Sequence, residues 1–142
     1  MLVAALRRTE QERHNESELM VTRPLITVVD DDESVRESLP DLLKEFGFDA
    51  QTFSSAAEFL ASEALTETSC LLLDVAMPGM TGPDLQQELR RRERRVPIVF
   101  ITAHRDATER VRLIAQGAVE CLFKPFEPAD LLQALNTALG TS

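Results

Sequence analysis

Cysteine and lysine are scarce in this chain of 142 residues, and it has no long apolar stretch. The two cysteines, Cys70 and Cys121, both lie within apolar runs, which argues against a disulfide framework and for a buried, reduced pair. No run approaches the roughly 20 apolar residues that a membrane-spanning helix requires. The opening Leu2-Val3-Ala4-Ala5-Leu6 is too short for the core of a secretory signal. The expectation is a cytoplasmic protein that makes no membrane contact. Cations are also in the minority: 15 Lys and Arg stand against 24 Asp and Glu, a net charge of −9. That balance argues against a nucleic-acid-binding surface over the domain as a whole.

The residues present are those of an ordinary globular protein, 44% hydrophobic and 27% charged, and the length suits one domain. Residues 1–23 carry four cations (Arg7, Arg8, Arg13, Arg23) and four anions (Glu10, Glu12, Glu16, Glu18), so the whole excess of negative charge belongs to residue 24 onward. This polar segment precedes Pro24 and reads as a flexible or partly helical extension, with Met20 as an alternative start. Residues 24–142 read as the domain. Within it the acids are scattered except at Asp30-Asp31-Asp32-Glu33, which directly follows the apolar run Leu25-Ile26-Thr27-Val28-Val29. A solvated charge run normally sits in a loop or tail. Here it is pinned to the end of a candidate core strand.

Short apolar runs at 25–29, 69–73, 97–102 and 118–123 alternate with segments of helical period. The first helix is expected at Glu33–Phe46, ended by Gly47 in the left-handed conformation, with Pro40 expected to kink it. A weaker strand follows at Asp49–Phe53, and Ser54 or Ser55 caps a helix running through Phe59 and Leu60. Further helices are expected at 83–93, 106–116 and 127–139. Five such βα units predict an α/β fold, a doubly wound five-stranded parallel sheet with helices on both faces.

Ligands of open α/β sheets bind beyond the carboxyl ends of the strands. Those ends carry Asp30-Asp31-Asp32, then Asp74, then Thr102-Ala103, then Lys124-Pro125. Carboxylates, a hydroxyl and an ammonium describe a hard-cation site with a phosphoryl group beside it. Clustered carboxylates repel and would otherwise take up protons; Mg²⁺ relieves this and needs only one or two carboxylates plus a phosphate. Asp74 is then placed to act as a nucleophile toward phosphorus, with Lys124 and Thr102 neutralising the transferred group.

Val28-Val29-Asp30-Asp31-Asp32-Glu33, the stretch Leu71-Leu72-Leu73-Asp74-Val75-Ala76-Met77-Pro78-Gly79-Met80-Thr81-Gly82, Val99-Phe100-Ile101-Thr102-Ala103-His104 and Lys124-Pro125-Phe126 resemble the receiver domain of two-component response regulators, and FixJ-like receivers most. The resemblance covers about residues 24–139 and implies the flavodoxin-like (βα)5 receiver fold. It implies that Asp74 is the phosphoacceptor, that Asp30, Asp31, Asp74 and the Ala76 backbone carbonyl hold Mg²⁺ (or Mn²⁺), and that Thr102, Ala103 and Lys124 receive the phosphoryl group. The Lys124-Pro125 peptide is expected to be cis. The donor would be a sensor histidine kinase or a phosphotransfer protein, and the domain would catalyse only its own phosphorylation and dephosphorylation. The fourth helix (106–116), fifth strand and fifth helix (127–139) form the face expected to carry output, including homodimer formation. One position departs from the family: three residues before the lysine, where receivers have Tyr or Phe, stands Cys121. The expectation is therefore that Thr102 and the 103–112 segment relay activation while Cys121 packs passively. Ala76 and His104 occupy the positions where receivers tune phosphorylation lifetime.

Each feature also has a plainer reading. Asp30-Asp31-Asp32 taken alone is a helix cap with first-turn acids, and Asp32 is expected to be only that. His104 reads as a solvent-facing loop residue, and Arg90-Arg91-Arg92-Glu93-Arg94-Arg95 as the solvated end of a helix. A Mg²⁺-dependent phosphohydrolase of the haloacid-dehalogenase type is the competing enzyme reading, because Asp30-x-Asp32-x-Ser34 imitates its opening motif. It leaves Asp74 without a role. A phosphorylation-independent interaction domain is the least favoured. The chain is expected to be a stand-alone receiver, with a receiver cut from a FixJ-like DNA-binding regulator as the alternative.

Overall fold

The computed structural model describes residues 23–141. The extension expected at 1–23, apart from Arg23, and the alternative start at Met20 lie outside them. Five strands, β1 (Leu25–Val29), β2 (Asp49–Phe53), β3 (Cys70–Asp74), β4 (Ile98–Thr102) and β5 (Glu120–Phe123), form one parallel sheet in the order β2-β1-β3-β4-β5. The chain winds outward from the β1/β3 pair in both directions, so the strand order reverses there. This is the doubly wound architecture read from the alternating pattern, and β3 to β5 start one or two residues later than expected.

Six helices are described: α1 (Glu33–Glu45), α2 (Ala56–Leu60), α3 (Ala64–Glu67), α4 (Gly82–Arg91), α5 (Ala107–Ala115) and α6 (Pro128–Leu139). β3 and β4 are buried at every position, as continuous apolar strands covered on both faces should be. One face packs Ile26, Val28, Leu72, Val99 and Ile101 against Leu39 and Leu43 of α1 and Leu131 and Leu135 of α6. The other packs Val29, Leu71, Leu73, Phe100 and Cys121 against Phe59, Leu85, Leu89 and Leu113 from α2, α4 and α5. Within the second layer the Thr27 and Thr68 hydroxyls meet at 2.6 Å, and Thr68 also donates to the Ala64 carbonyl at 2.6 Å.

The helix ends follow local chemistry. Asp32 caps α1, accepting from the Ser34 amide at 2.9 Å, and Gly47 leaves the helix at φ 98°, where a β-carbon would be penalised. Ser55 is the cap of α2, while Ser54 donates to Glu58. Thr81 and Asp84 form a reciprocal capping box at the start of α4. Pro40 does not end α1, which runs continuously to Glu45; the buried Leu39 and Leu43 supply tertiary packing that outweighs the missing backbone bond. α3 was not expected. The arginine run at the end of α4 is engaged: Arg90 donates to the Gln116 carbonyl and Arg94 to that of Leu65, while Arg91 and Arg92 pair with Glu88 one turn earlier.

Candidate functional site

Register alone brings the chemistry together. Val29 is opposite Leu73, so the next residues, Asp30 and Asp74, end neighbouring parallel strands. Asp74 is opposite Ile101, and Thr102 is opposite Phe123, which sets Thr102 and Lys124 at the same edge. Backbone bonds extend the ladder past the strand ends, from Asp30 to the Phe53 carbonyl (3.1 Å), Val75 to Ile101 (3.1 Å) and Lys124 to Thr102 (2.7 Å). The site is therefore built on the hydrogen-bonded end of the sheet.

Carboxylate oxygens of Asp30, Asp31 and Asp74 all lie within 4.8 Å of one another. Asp30 and Asp74 are buried and Asp31 is exposed, so the cluster opens to solvent on one side. The Lys124 ammonium reaches Asp30 Oδ2 at 3.0 Å, and the Asp32 amide donates to Asp30 Oδ1 at 2.9 Å. Burial first, then the adjoining Asp30 carboxylate, pushes the Asp74 carboxyl up to about 8, against a smaller opposing pull from Lys124. This donor set fits a hard divalent cation: oxygen ligands only, with more negative charge than one ammonium offsets.

Thr102 is buried, and its hydroxyl accepts the His104 amide at 3.0 Å. Ala76, Ala103 and His104 are exposed in the loops that follow β3 and β4. The Lys124–Pro125 peptide is cis. Cys121 is 2% exposed, lies opposite Phe100, and has its thiol pushed up to about 11 by burial. A thiol so placed is a small core side chain and a poor nucleophile. Asp32 is exposed at the start of α1, its carboxyl held below its ordinary value by the Ser34 hydrogen bonds. That placement removes the second acid that the phosphohydrolase reading needs, and nothing in the site favours that reading.

Two residues near the site escape a sequence reading. Gly82 begins α4 directly beneath the end of β3: a β-carbon there would overlap the Asp74 carbonyl oxygen and lie 2.9 Å from Phe100 Cε1. Arg36 reaches back from α1 to the Asp30 carbonyl, with Nη1 at 2.9 Å. A glycine following a turn-rich loop hints at close approach, whereas nothing in the sequence singles out Arg36 from its exposed neighbours.

The model of the response regulator receiver domain family matches residues 26–136. Nodulation protein W of Bradyrhizobium diazoefficiens is 44% identical over 117 residues, which are 82% of this chain and 52% of that protein. Transcriptional regulatory protein FixJ of Azorhizobium caulinodans is 37% identical over 117 residues, 82% of this chain and 56% of that one. The solved structure of response regulator StyR matches with a TM-score of 0.76 at 46% identity, covering 84% of this chain and 60% of that one. The chain thus spans about half the length of the curated relatives it matches. Strand order, the clustered strand-end acids and these similarities lead to one conclusion: the chain belongs to the response regulator receiver domain family, and to its FixJ-like members.

Proposed function

We propose that the domain takes a phosphoryl group onto Asp74 from the phosphohistidine of a sensor histidine kinase or phosphotransfer protein, and that this changes the affinity of its output face. The observation that carries the reading is the cluster of Asp30, Asp31 and Asp74 within 4.8 Å, with the Lys124 ammonium 3.0 Å from Asp30. An Asp74 carboxylate oxygen attacks phosphorus, the bond from phosphorus to the donor nitrogen breaks, and its electron pair stays on the imidazole, which takes up a proton. The products are an acyl phosphate and a neutral histidine. Asp30, Asp31, Asp74 and the Ala76 carbonyl would hold Mg²⁺, or Mn²⁺ in its place. The bound cation supplies charge neutralisation at the phosphoryl oxygens. Lys124 leaves Asp30 to pair with the new dianion, and the Ala103 amide and the Thr102 hydroxyl donate to it.

Readout begins at Thr102. Its hydroxyl now accepts the His104 amide, so turning toward a phosphoryl group deprives that amide of its partner and moves the loop into α5. Cys121 is packed within the core and contributes volume, not a swinging ring. The α5, β5 and α6 face carries Arg105, Arg110, Glu120 and Asp130 around a groove, and Val111 of α5 is 64% exposed; a two-fold pairing of this face would match its mixed charges.

The test is incubation with acetyl phosphate, with MgCl₂ or with EDTA, followed by borohydride reduction and peptide mass spectrometry. The label should fall on Asp74 and require the cation. Label on Asp30, or none, refutes the assignment. Amide shifts of α5 that stay unchanged on adding beryllofluoride would refute the Thr102 route.

A further inference from the structure

Every hydrogen-bonding group of Asp30 is engaged. Its amide donates to the Phe53 carbonyl at 3.1 Å, Oδ1 accepts the Asp32 amide at 2.9 Å, and Oδ2 accepts Lys124 Nζ at 3.0 Å. The fourth group, its carbonyl oxygen, accepts Arg36 Nη1 at 2.9 Å. The first three partners belong to the adjoining strand end, the turn and the opposite side of the pocket. The fourth is a long side chain reaching back six residues from the second turn of α1, and phosphoryl transfer as derived above does not use it.

A carbonyl at a strand end can be satisfied by water at little cost, whereas immobilising an arginine gives up side-chain entropy. The consequence lies in which peptide is held. The Asp30 carbonyl belongs to the peptide joining Asp30 to Asp31, and rotation of that plane swings the Asp31 side chain. Asp30 is fixed by its own carboxylate contacts. Among the described residues, no N–H group donates to the carboxylate of the exposed Asp31, whose side-chain partner is the Asp74 carboxyl, so its place beside Asp30 and Asp74 depends on that one contact and on the backbone. We propose that Arg36 is a positioning residue for the cation-binding set: it locks the Asp30–Asp31 peptide plane and so aims the Asp31 carboxylate into the site. The inference rests on the reading of these three carboxylates as the Mg²⁺ ligands.

Charge and positioning act in opposite directions here, which makes the idea decidable. If Arg36 matters only as a cation, removing it leaves the carboxylates more negative, and Mg²⁺ binds more tightly. If it positions Asp31, removing it weakens binding, as loss of outer partners of metal ligands does.

The experiment is titration of the full chain with MgCl₂, followed by amide NMR, for the wild type, Arg36→Met and Arg36→Lys. Arg36→Met should weaken Mg²⁺ binding about tenfold, the lower end of the cost for outer-shell partners, and should shift the Asp31 and Asp32 amides even without metal. Arg36→Lys, which keeps the charge and one donor, should fall between. Equal or tighter binding by Arg36→Met overturns the proposal, and so do unmoved Asp31 and Asp32 amides. Should Arg36→Met fail to fold, Arg36→Lys carries the decision, because wild-type affinity and amide shifts there would mean that the guanidinium geometry is irrelevant. A wild-type domain that takes no Mg²⁺ refutes the cation reading instead, and the metal-free amide shifts still judge the positioning.

Discussion

Replacing Asp74 by asparagine in the cation-free domain should stabilise it increasingly as the pH rises. The Asp74 carboxyl stands at about 8 in the fold, against 3.8 in an unfolded chain, because it is buried beside Asp30 and Asp31 with only Lys124 opposing. Between those values the native state holds a proton that the unfolded state has released. Its contribution is therefore fully present below pH 4, declines as the pH rises, and is gone above about 8. Each pH unit is worth at most about 1.4 kcal/mol, so the span of roughly four units bounds the loss near 6 kcal/mol, and sharing of the proton within the cluster brings the expected value to about 2–5 kcal/mol. Asparagine of the same shape cannot ionise. Urea unfolding of wild type and Asp74→Asn in EDTA, from pH 4 to 9, should give curves that lie closest near pH 4 and diverge toward pH 8, the variant being the more stable. Adding MgCl₂ should then raise the wild type, since a ligand binding only the native state stabilises it, and should leave Asp74→Asn nearly unmoved. Parallel stability profiles for the two proteins in EDTA would refute the electrostatic account of the pocket.

Gly82→Ala should cost about 1–3 kcal/mol by overpacking and should disturb the Asp74 amide more than Gly79→Ala does, as measured by urea unfolding and NMR. Thr68→Val should lower stability by about 1–3 kcal/mol, because it strands the buried Thr27 hydroxyl; adding Thr27→Val should recover part of the loss, and a strictly additive double variant would count against the pairing. Asp32→Ala should cost about 1 kcal/mol as a lost cap while leaving acetyl-phosphate labelling of Asp74 intact; abolished labelling would place Asp32 in the site. The small Ala76 leaves room for an attacking water, so the acyl phosphate in wild type should decay at least as fast as in Ala76→Arg, followed by the decay of radiolabel after removal of the donor.

The features legible in the sequence are those that depend on near neighbours in the chain. Alternation of five-residue apolar runs with helical segments yields the sheet because a strand buried on both faces must be apolar throughout, as Leu71, Leu72 and Leu73 are. The acids at 30–32 were conspicuous because a charge run seldom abuts such a strand. Contacts that depend on packing across the fold were not legible. Thr27 meets Thr68 across 41 residues; hydrophobic period carries no information about which polar side chains face each other. The four-residue α3 is too short for any period to be seen. Gly82 matters through a missing methyl, at which the turn-rich loop before it only hints, and Arg36 through a single guanidinium contact that leaves no pattern.

The substitution at Cys121 has a structural consequence of its own. β5 is the last strand of the sheet, and Cys121 faces the layer that holds Phe100 of β4 and Leu113 of α5. A ring at that position would fill the space under α5 in one rotamer and vacate it in another, giving the helix two packings. A cysteine has no such alternative, being small and already 2% exposed. The coupling of α5 to the rest of the domain then falls on other contacts. Arg110 supplies two, to the Glu120 carboxylate at 2.6 Å and to the Cys121 carbonyl at 3.1 Å, and the Asp106 cap supplies the connection to the loop after Thr102. On the proposed route, displacement of that loop when Thr102 gives up the His104 amide would be carried by the helix cap and resisted by the Arg110 contacts. Polar contacts at a partly exposed surface are weaker constraints than buried packing, so the buried Leu113 is the main anchor of α5 on the sheet.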